Sequence, residues 1–295
     1  YFGKYAGLRF TTVGAVRDLR AYFAPPPTIN TGEGCIAQSD SNGNLMFYAG
    51  GDSARQPYFR IYKPSVGGHT QVNTSNLMKG HSSSTQGGIV LPFTNDTNKF
   101  HLVVTGGNNY QPNENSSSGG RYNIIDKTNS NLVISANRAI APPPGDNPKS
   151  GDSTIDCSEY LTAIPRCGGG YWLILKENRS NSLHEHKLVV YSVTDAGITY
   201  HSLSNETVSR NTYGQMKASP DGNFVSCPGS IFRFNTSTGM LTLFRTYDLD
   251  STGSTDYYGC SFSPNSKVLY VTRATFFPDY YSRVIQYDLL SSNDS

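Results

Sequence analysis

The side chains with most capacity for chemistry sit in short polar clusters along this chain of 295 residues. His81-Ser82-Ser83-Ser84 sets a base beside hydroxyls, the materials of an activated nucleophile. Adjacent residues of a strand point to opposite faces, however, and no strained Gly-x-Ser-x-Gly elbow is present. The hydroxyls therefore read as partners of backbone groups where a strand begins. His184 and His186 would share one strand face and could supply two metal ligands. No third ligand stands near them, and a solvated hairpin edge accounts for both. Asp40-Ser41-Asn42-Gly43-Asn44 places oxygens at alternate positions, as a calcium loop does. It lacks the downstream bidentate Glu, and a hairpin turn explains the same residues. Asp156 and Glu159 come nearest to the carboxylate pair of a glycosidase, but nothing in the sequence brings them to a common substrate. Sialidase-type Ser-x-Asp-x-Gly-x-Thr-Trp boxes are absent. No catalytic residue, metal ligand or cofactor is expected.

Aromatic residues make the stronger functional signal. Tyr110, Tyr213, Tyr257, Tyr258 and the run Phe276-Phe277-Pro278-Asp279-Tyr280-Tyr281 lie near turns or inside insertions. Rings on loops stack on sugars or anchor a protein partner, while neighbouring Asn and Asp orient the contact. Packing between strands is the competing use of the same rings. Ala141-Pro142-Pro143-Pro144-Gly145 opens a stiff polyproline-like insertion that serves as a partner contact or as a long connection.

The elements that must carry these residues are strands. Helical periodicity is almost absent, and apolar residues alternate in Leu45-Met46-Phe47-Tyr48, Phe59-Arg60-Ile61-Tyr62, Phe232-Arg233-Phe234 and Val284-Ile285-Gln286-Tyr287. The strongest turns, at 40–44, 219–223 and 263–267, supply residues that tolerate positive φ between two apolar runs. They belong to a repeat. A second strand follows the turn at 44–49, 99–105, 171–176, 223–227 and 267–273. A third follows at 58–63, 121–126, 187–193, 230–235 and 283–289, and a fourth at 131–135, 198–203 and 240–246. Four strands every 40-odd residues predict an all-β fold, a β-propeller of four-stranded antiparallel blades in a single domain over 1–295. A two-sheet sandwich would not repeat the same turn five times. The last unit has no fourth strand in sequence, and the segment 7–12 has no blade of its own. Either that segment closes the last blade or the propeller continues past residue 295 to six or seven blades, which is the expectation.

Charged residues are only 16% of the chain, and 24 Lys plus Arg against 22 Asp plus Glu leave a net charge of +2. That balance excludes a dedicated nucleic-acid or anionic-membrane binder. No apolar run approaches the roughly 18 to 20 residues that span a bilayer. The chain opens at Tyr1, which reads as a mature secreted product or a piece of something longer. Cys35, Cys157, Cys167, Cys227 and Cys260 fit no zinc or thioredoxin spacing. Cys157 and Cys167 flank residues 158–166, a segment that would form a hairpin stapled by a disulfide. Asn73, Asn95, Asn115, Asn178, Asn205, Asn235 and Asn293 begin N-x-S/T sequons. They mark polar loops and candidate N-glycosylation sites.

The residues of the repeat also carry a family resemblance. Tyr1-Phe2-Gly3-Lys4-Tyr5-Ala6-Gly7-Leu8, Glu33-Gly34-Cys35 leading into residues 39–48, and residues 81–86 resemble a secreted propeller of Bacteroidetes surface proteins. So, in order, do Arg121–Asp126 and residues 161–163, 171–172, 214–222 and 258–271. That family sits in large type IX-secreted proteins, often with PKD-type or gliding-motility-associated regions. It carries a Trp-Asn pair after the first hairpin, where this chain has residues 55–62. Its members continue past the position of Leu290 with at least one more blade. The resemblance implies an extracellular, cell-surface setting and no catalytic motif. Asp52-Ser53-Ala54, Asp152-Ser153-Thr154 and Asp250-Ser251-Thr252 resemble the O-glycosylation pattern of the same bacteria, which implies modification at Ser53, Ser153 and Ser251. In such a host the N-x-S/T sequons are silent, and a eukaryotic source reverses that.

Together these observations predict a non-catalytic extracellular binding or adhesion module, or a subunit of a surface filament. Its partner is a glycan or a surface protein, met by aromatic loops on one propeller face. A carbohydrate-active hydrolase or lyase and a purely structural, self-associating fibre subunit are the alternatives.

Overall fold

The computed structural model describes residues 8–10, 16–18, 33–51, 58–65, 68–72, 78–106, 119–146, 153–177, 186–208, 214–246, 255–275 and 281–290, and all their regular structure is β. Strands β1 (Leu8–Phe10) and β2 (Val16–Asp18) pair with each other. Then come β3 (Cys35–Ser39), β4 (Leu45–Gly51), β5 (Tyr58–Ser65) and β6 (Gly68–Gln71), an antiparallel meander to which β7 (Met78–Lys79) adds beside β5. The second meander is β8 (Gly88–Pro92), β9 (Lys99–Val104), β10 (Arg121–Asp126) and β11 (Val133–Ala139). The third is β12 (Cys157–Pro165), β13 (Tyr171–Glu177), β14 (Leu188–Thr194) and β15 (Gly197–Leu203). The fourth is β16 (Lys217–Ala218), β17 (Phe224–Cys227), β18 (Ser230–Asn235) and β19 (Met240–Thr246). A three-stranded sheet ends the series: β20 (Thr255–Phe262), β21 (Val268–Thr275) and β22 (Tyr281–Asp288). Each sheet keeps sequence order from its first strand to its last, the pattern of successive propeller blades.

The chain gathers into two compact units, 1–140 with 148–155, and 141–147 with 156–295. In the first, alternation along β4 sends Phe47 and Ala49 to one face, where Phe59, Ile61, Phe100 and Leu102 complete a core between the first two sheets. Phe47 and Phe100 meet edge to face at 6.1 Å. Tyr48 points the other way and stacks on Tyr62 at 5.3 Å. In the second unit the fourth sheet is apolar on both faces. Val225, Phe232 and Phe234 pack with Ile164, Trp172 and Ile174 of the third sheet. Phe224, Ile231 and Phe244 pack with Leu269, Val271 and Tyr287 of the fifth. Each such side chain, fully buried, contributes about 1.5 to 3 kcal/mol, so the stacking of sheet on sheet carries most of the stability.

The first hairpins of the first, fourth and fifth sheets are closed by side chains of their own turns. In 219–223, Ser219 Oγ donates to Asp221 Oδ1 at 2.6 Å and accepts from the Phe224 N–H at 2.9 Å. Asp221 accepts from the Asn223 N–H and from Asn223 Nδ2, both at 3.0 Å. The next sheet repeats the arrangement: Ser263 Oγ donates to Asn265 Oδ1 at 2.7 Å and accepts from the Val268 N–H at 3.0 Å. Gly222 takes φ +74°, and Ser266 occupies the same turn position at φ +58°. A serine tolerates that strained region here because its Oγ accepts from the Asp221 N–H at 3.1 Å, tying one turn to the next. Asp40 closes the first turn in the same way, accepting from the N–H groups of Asn42 at 2.9 Å and Asn44 at 2.8 Å.

One expectation is overturned. Residues 157–165 form a single extended strand and no hairpin, so about 3.3 Å per residue separates Cys157 from the Cys167 end by about 26 Å. A disulfide needs Cα atoms within about 7 Å. All five cysteines are free, with Cys167 exposed and Cys157, Cys227 and Cys260 buried. In the native protein the Cys167 thiol should react with a disulfide reagent well before the three buried thiols, which should need denaturant. Reaction of fewer than five thiols in denatured, unreduced protein would contradict this. Replacing Ser219 by Ala removes both of its turn hydrogen bonds and should cost about 1 to 2 kcal/mol by denaturant unfolding. Ser263→Ala should cost a similar amount, and no loss at either site would mean that the turns do not hold the hairpins.

Candidate functional site

The meander order separates two kinds of connection. Strands one and two, and three and four, join at one end of each sheet through 40–44, 93–98, 166–170, 219–223 and 263–267, and through 66–67, 127–132, 195–196 and 236–239. The other end carries the connections between strands two and three: 52–57, 105–120, 178–187, 228–229 and 276–280. It also carries the links to the next sheet, at 72–87, 140–156, 204–216 and 247–254. The first end is uniformly short, since each turn must hold a register. The second is free of that constraint and takes all the long insertions.

The aromatic residues singled out in the sequence all fall at this second end. Tyr110 lies in 105–120, Tyr213 in 204–216, and Phe276, Phe277 and Tyr280 in 276–280, with Tyr281 opening β22. Tyr110, Tyr213, Phe276, Phe277, Tyr280 and the Tyr281 side chain lie outside the described residues. Tyr257 and Tyr258 stand near the start of β20 and part company there. Tyr258 is exposed, whereas Tyr257 is buried among Ile231, Leu269 and Val271 and serves the core instead of a ligand. Strand alternation is the cause: one of two adjacent rings has to face inward. Residues 214–216 brace this corner. Gly214 has φ +123°, and a Cβ there would press to 3.0 Å from the Tyr258 carbonyl oxygen. The Gln215 N–H donates to that oxygen at 2.7 Å, and Cys260 Sγ donates to the Gln215 carbonyl at 3.4 Å. The crevice among Gln215, Pro228, Tyr258 and Gly259 is too narrow for a water molecule.

The long-loop end of the third sheet buries charge. Cys157 stands opposite Glu177 and Leu161 opposite Leu175, so Ser158, Glu159 and Tyr160 face Lys176 alone across a bulge. Glu159, Lys176 and Glu177 are 1%, 1% and 2% exposed. Lys176 Nζ lies 4.7 Å over the Tyr160 ring. Burial pulls this amine down to about 8 and pushes the Cys227 thiol up to about 12, so Cys227 stays protonated and inert. Of the carboxylates Asp156 and Glu159, the first is half-buried and the second fully buried. Lys176 and Glu177 escaped the sequence reading because two charges after Leu173-Ile174-Leu175 look like the exposed end of a strand.

Turns also decide the fate of the other polar clusters. Residues 81–86 form turns, not a strand, which brings Ser83 back onto His81: Ser83 Oγ lies 2.7 Å from His81 Nδ1, which also accepts from the Ser83 N–H at 3.2 Å. The carbonyls of Ser82 and Ser84 accept from the N–H groups of Glu33 and Gly34 at 3.0 and 2.9 Å. His186 Nδ1 lies 3.4 Å from the Glu177 carbonyl oxygen, and His184 is outside the described residues. Among the described residues no three His, Cys, Asp or Glu side chains group as metal ligands. The Asp40 carboxylate is taken up by its turn, and its hydrogen bonds to Asn44 hold it below the usual carboxylate range. Of the glycosylation candidates, Asn95, Asn205, Asn235 and Ser153 are exposed. Asn73, Asn115, Asn178, Ser53 and Ser251 lie outside the described residues, as does Asn293.

Successive four-stranded antiparallel meanders in sequence order define a β-propeller, and comparison with solved structures agrees. No family model and no curated protein matches the chain. A Bacteroides uniformis protein provisionally described as a 6-phosphogluconolactonase superposes with a TM-score of 0.55 at 11% identity, over 99% of this chain and 79% of its own. TolB from Acinetobacter baumannii gives a TM-score of 0.35 at 12% identity, over 82% of this chain and 57% of its own. The first likeness shows the fold: the chain is an all-β propeller.

Lys176 supplies a pH test of the buried cluster. Its folded value lies below its ordinary 10.5, so the unfolded chain binds more protons between about 8 and 10.5 and stability rises with pH there. The rise should reach at most about 3 kcal/mol across that window, and Lys176→Met should abolish it. An unchanged slope in the variant would assign the effect to another group.

Proposed function

We propose that this propeller is a non-catalytic extracellular binding module, a cell-surface adhesin or filament component that recognises a glycan or a surface protein. One observation carries the reading. Every long connection, and every aromatic residue singled out near a loop, joins its sheet at the same end. In a propeller the corresponding ends of successive blades make one face, so Tyr213, Tyr258 and the run 276–281 of the second unit would share one. Rigid sheets hold such loops in place at little entropic cost. The near-neutral chain supports recognition by stacking and hydrogen bonds, with weak salt dependence. The resemblance to Bacteroidetes surface proteins supports the extracellular setting and the attachment of O-glycans at Ser53, Ser153 and Ser251.

A second reading has its own observation. The Ser83–His81 contact at 2.7 Å has the geometry of a hydroxyl activated by an imidazole. A structural neighbour described as a lactonase makes lactone hydrolysis the reaction to assay. A structural fibre subunit is the third.

A glycan array and a panel of extracellular polysaccharides, probed with the wild-type chain and with a Tyr258→Ser, Phe276→Ser, Phe277→Ser variant, separate the three. Binding that falls about tenfold or more in the variant, at unchanged thermal stability, supports the binding reading. Lactone hydrolysis lost in His81→Ala would replace it with the enzyme. Concentration-dependent assembly without ligand binding would replace it with the fibre.

A further inference from the structure

The first hairpins of the first, fourth and fifth sheets turn through corresponding residues and use them differently. Ser219, Asp221 and Gly222 of the fourth stand where the fifth has Ser263, Asn265 and Ser266, and the first has Asp40, Asn42 and Gly43. In the two later turns the middle side chain is held. Asp221 Oδ1 accepts from Ser219 Oγ at 2.6 Å and from the Asn223 N–H at 3.0 Å. Asn265 Oδ1 accepts from Ser263 Oγ at 2.7 Å and from the Lys267 N–H at 3.2 Å. Asparagines of other turns are tied likewise: Asn129 Oδ1 accepts from the Asn131 N–H at 2.9 Å, and Asn235 Oδ1 from the Ser237 N–H at 3.0 Å.

Asn42 is released from that duty. A carboxylate at the opening position, Asp40, accepts from the N–H groups of Asn42 and Asn44 directly. Among the described residues the Asn42 side chain has no hydrogen-bond partner, and residues 41–44 are all exposed.

Gly43 supplies the reacting neighbour. It shares its left-handed backbone with Gly222, φ +80° against +74°. A Cβ at Gly222 would meet Ile164 at 3.0 Å and Thr236 at 3.2 Å, whereas one at Gly43 would meet nothing within 4 Å. The Gly43 N–H donates to the Asp40 carbonyl at 3.0 Å, a bond at an exposed hairpin tip that local opening breaks. Asn42-Gly43 is the only Asn-Gly pair in the sequence.

We propose that Asn42 is a site of self-modification, converted through a cyclic imide to aspartate and isoaspartate with water as the co-reactant. The Gly43 nitrogen gives its proton to solvent and attacks Asn42 Cγ. The N–Cγ bond forms, the Cγ–Nδ2 bond breaks, and Nδ2 leaves as ammonia with a proton from solvent. The attack closes a five-membered ring between adjacent residues, and glycine presents no Cβ to obstruct it. Water then opens the imide. Cleavage of the new N–Cγ bond leaves aspartate, and cleavage of the original peptide bond leaves isoaspartate, whose main chain runs through Cβ and Cγ. An amide nitrogen is exchanged for a water oxygen, with no oxidant or reductant. Isoaspartate lengthens the main chain by one carbon between the two N–H groups that Asp40 holds at 2.9 and 2.8 Å, so both can no longer be met. It also sets a second carboxylate beside that of Asp40. The site lies at the short-turn end of the first sheet, away from the loops proposed for recognition, and does not rest on that reading.

Incubation of the full native chain in mildly alkaline water enriched in the heavy oxygen isotope tests the proposal, beside a free peptide of residues 38–46. Electron-transfer fragmentation should place the heavy oxygen at residue 42, in both aspartate and isoaspartate products. Conversion there should run about tenfold or more faster than conversion of Asn265 or isomerisation of Asp221. Asn42→Gln, which would need a six-membered ring, should stop it at unchanged thermal stability. Anion exchange separates the converted chain by its added charge, and in it the Asn44 N–H should exchange with deuterium about tenfold or more faster. An unmodified Asn42 in the native chain, after the peptide has converted, would mean that the turn protects it and would overturn the site. Equal conversion at Asn265 or Asp221 would overturn selection by the turn. Unchanged exchange at Asn44 would overturn the loss of the Asp40 closure.

Discussion

The fourth and fifth blades depend on a small electrostatic closure at their first turn. A Ser hydroxyl and an Asp or Asn side-chain oxygen take up backbone N–H groups that a two-stranded hairpin leaves unpaired at its tip. Unpaired and desolvated, such groups would cost about 1 to 3 kcal/mol each. Paired, they hold the first two strands in a register that sends one set of apolar side chains to each face. A slip of one residue would exchange the faces and expose both sets. The Asp221 N–H to Ser266 Oγ bond carries the closure from one blade to the next, and the strained φ of Ser266 belongs to that link.

Register then decides packing. In the second unit the fourth blade is a two-faced wedge, with Val225, Phe232 and Phe234 on one side and Phe224 and Ile231 on the other. Neighbouring blades meet it through polar ties as well. Trp172 Nε1 donates to the Thr236 carbonyl at 2.8 Å, and Arg166 lies 4.9 Å over the Trp172 ring. Gly239 turns at φ +70° where a Cβ would press on His201 and Trp172. Most of these directional contacts sit at the short-turn end. Recognition and architecture are thereby separated along each strand: one end is fixed by hydrogen bonds, and the other is free to vary.

Two places depart from this economy. The bulge at 158–160 sets buried charge at the long-loop end of the third blade, with Lys176 held over Tyr160. On the face of the fourth blade turned to the fifth, Arg233 is exposed, with its guanidinium 5.4 Å from the Phe224 ring centre and 4.3 Å from that of Phe244. A desolvated cation opposes the apolar burial that organises the rest of the chain, whereas the exposed one beside the Phe rings keeps its hydration.

The sequence by itself determined the strands, their turns, their repeat and hence the propeller. Those features rest on local rules: a period of two, residues that accept positive φ, and side chains that cap a hairpin within five residues of themselves. Phe224 and Ile231 could be read as strand residues without knowing what they touch. Tertiary structure alone decided which residues meet. Whether Cys157 and Cys167 flank a hairpin or a single strand, whether Tyr257 or Tyr258 faces inward, and whether Ser83 folds back on His81 turned on bulges and turns set by neighbouring strands. Lys176 and Arg233 read alike in sequence, as single charges among apolar strand residues. One is buried against Tyr160 because a bulge and the next blade close over it. The other is exposed beside Phe224 and Phe244, and burial of that kind is a property of the neighbours, which no local pattern records.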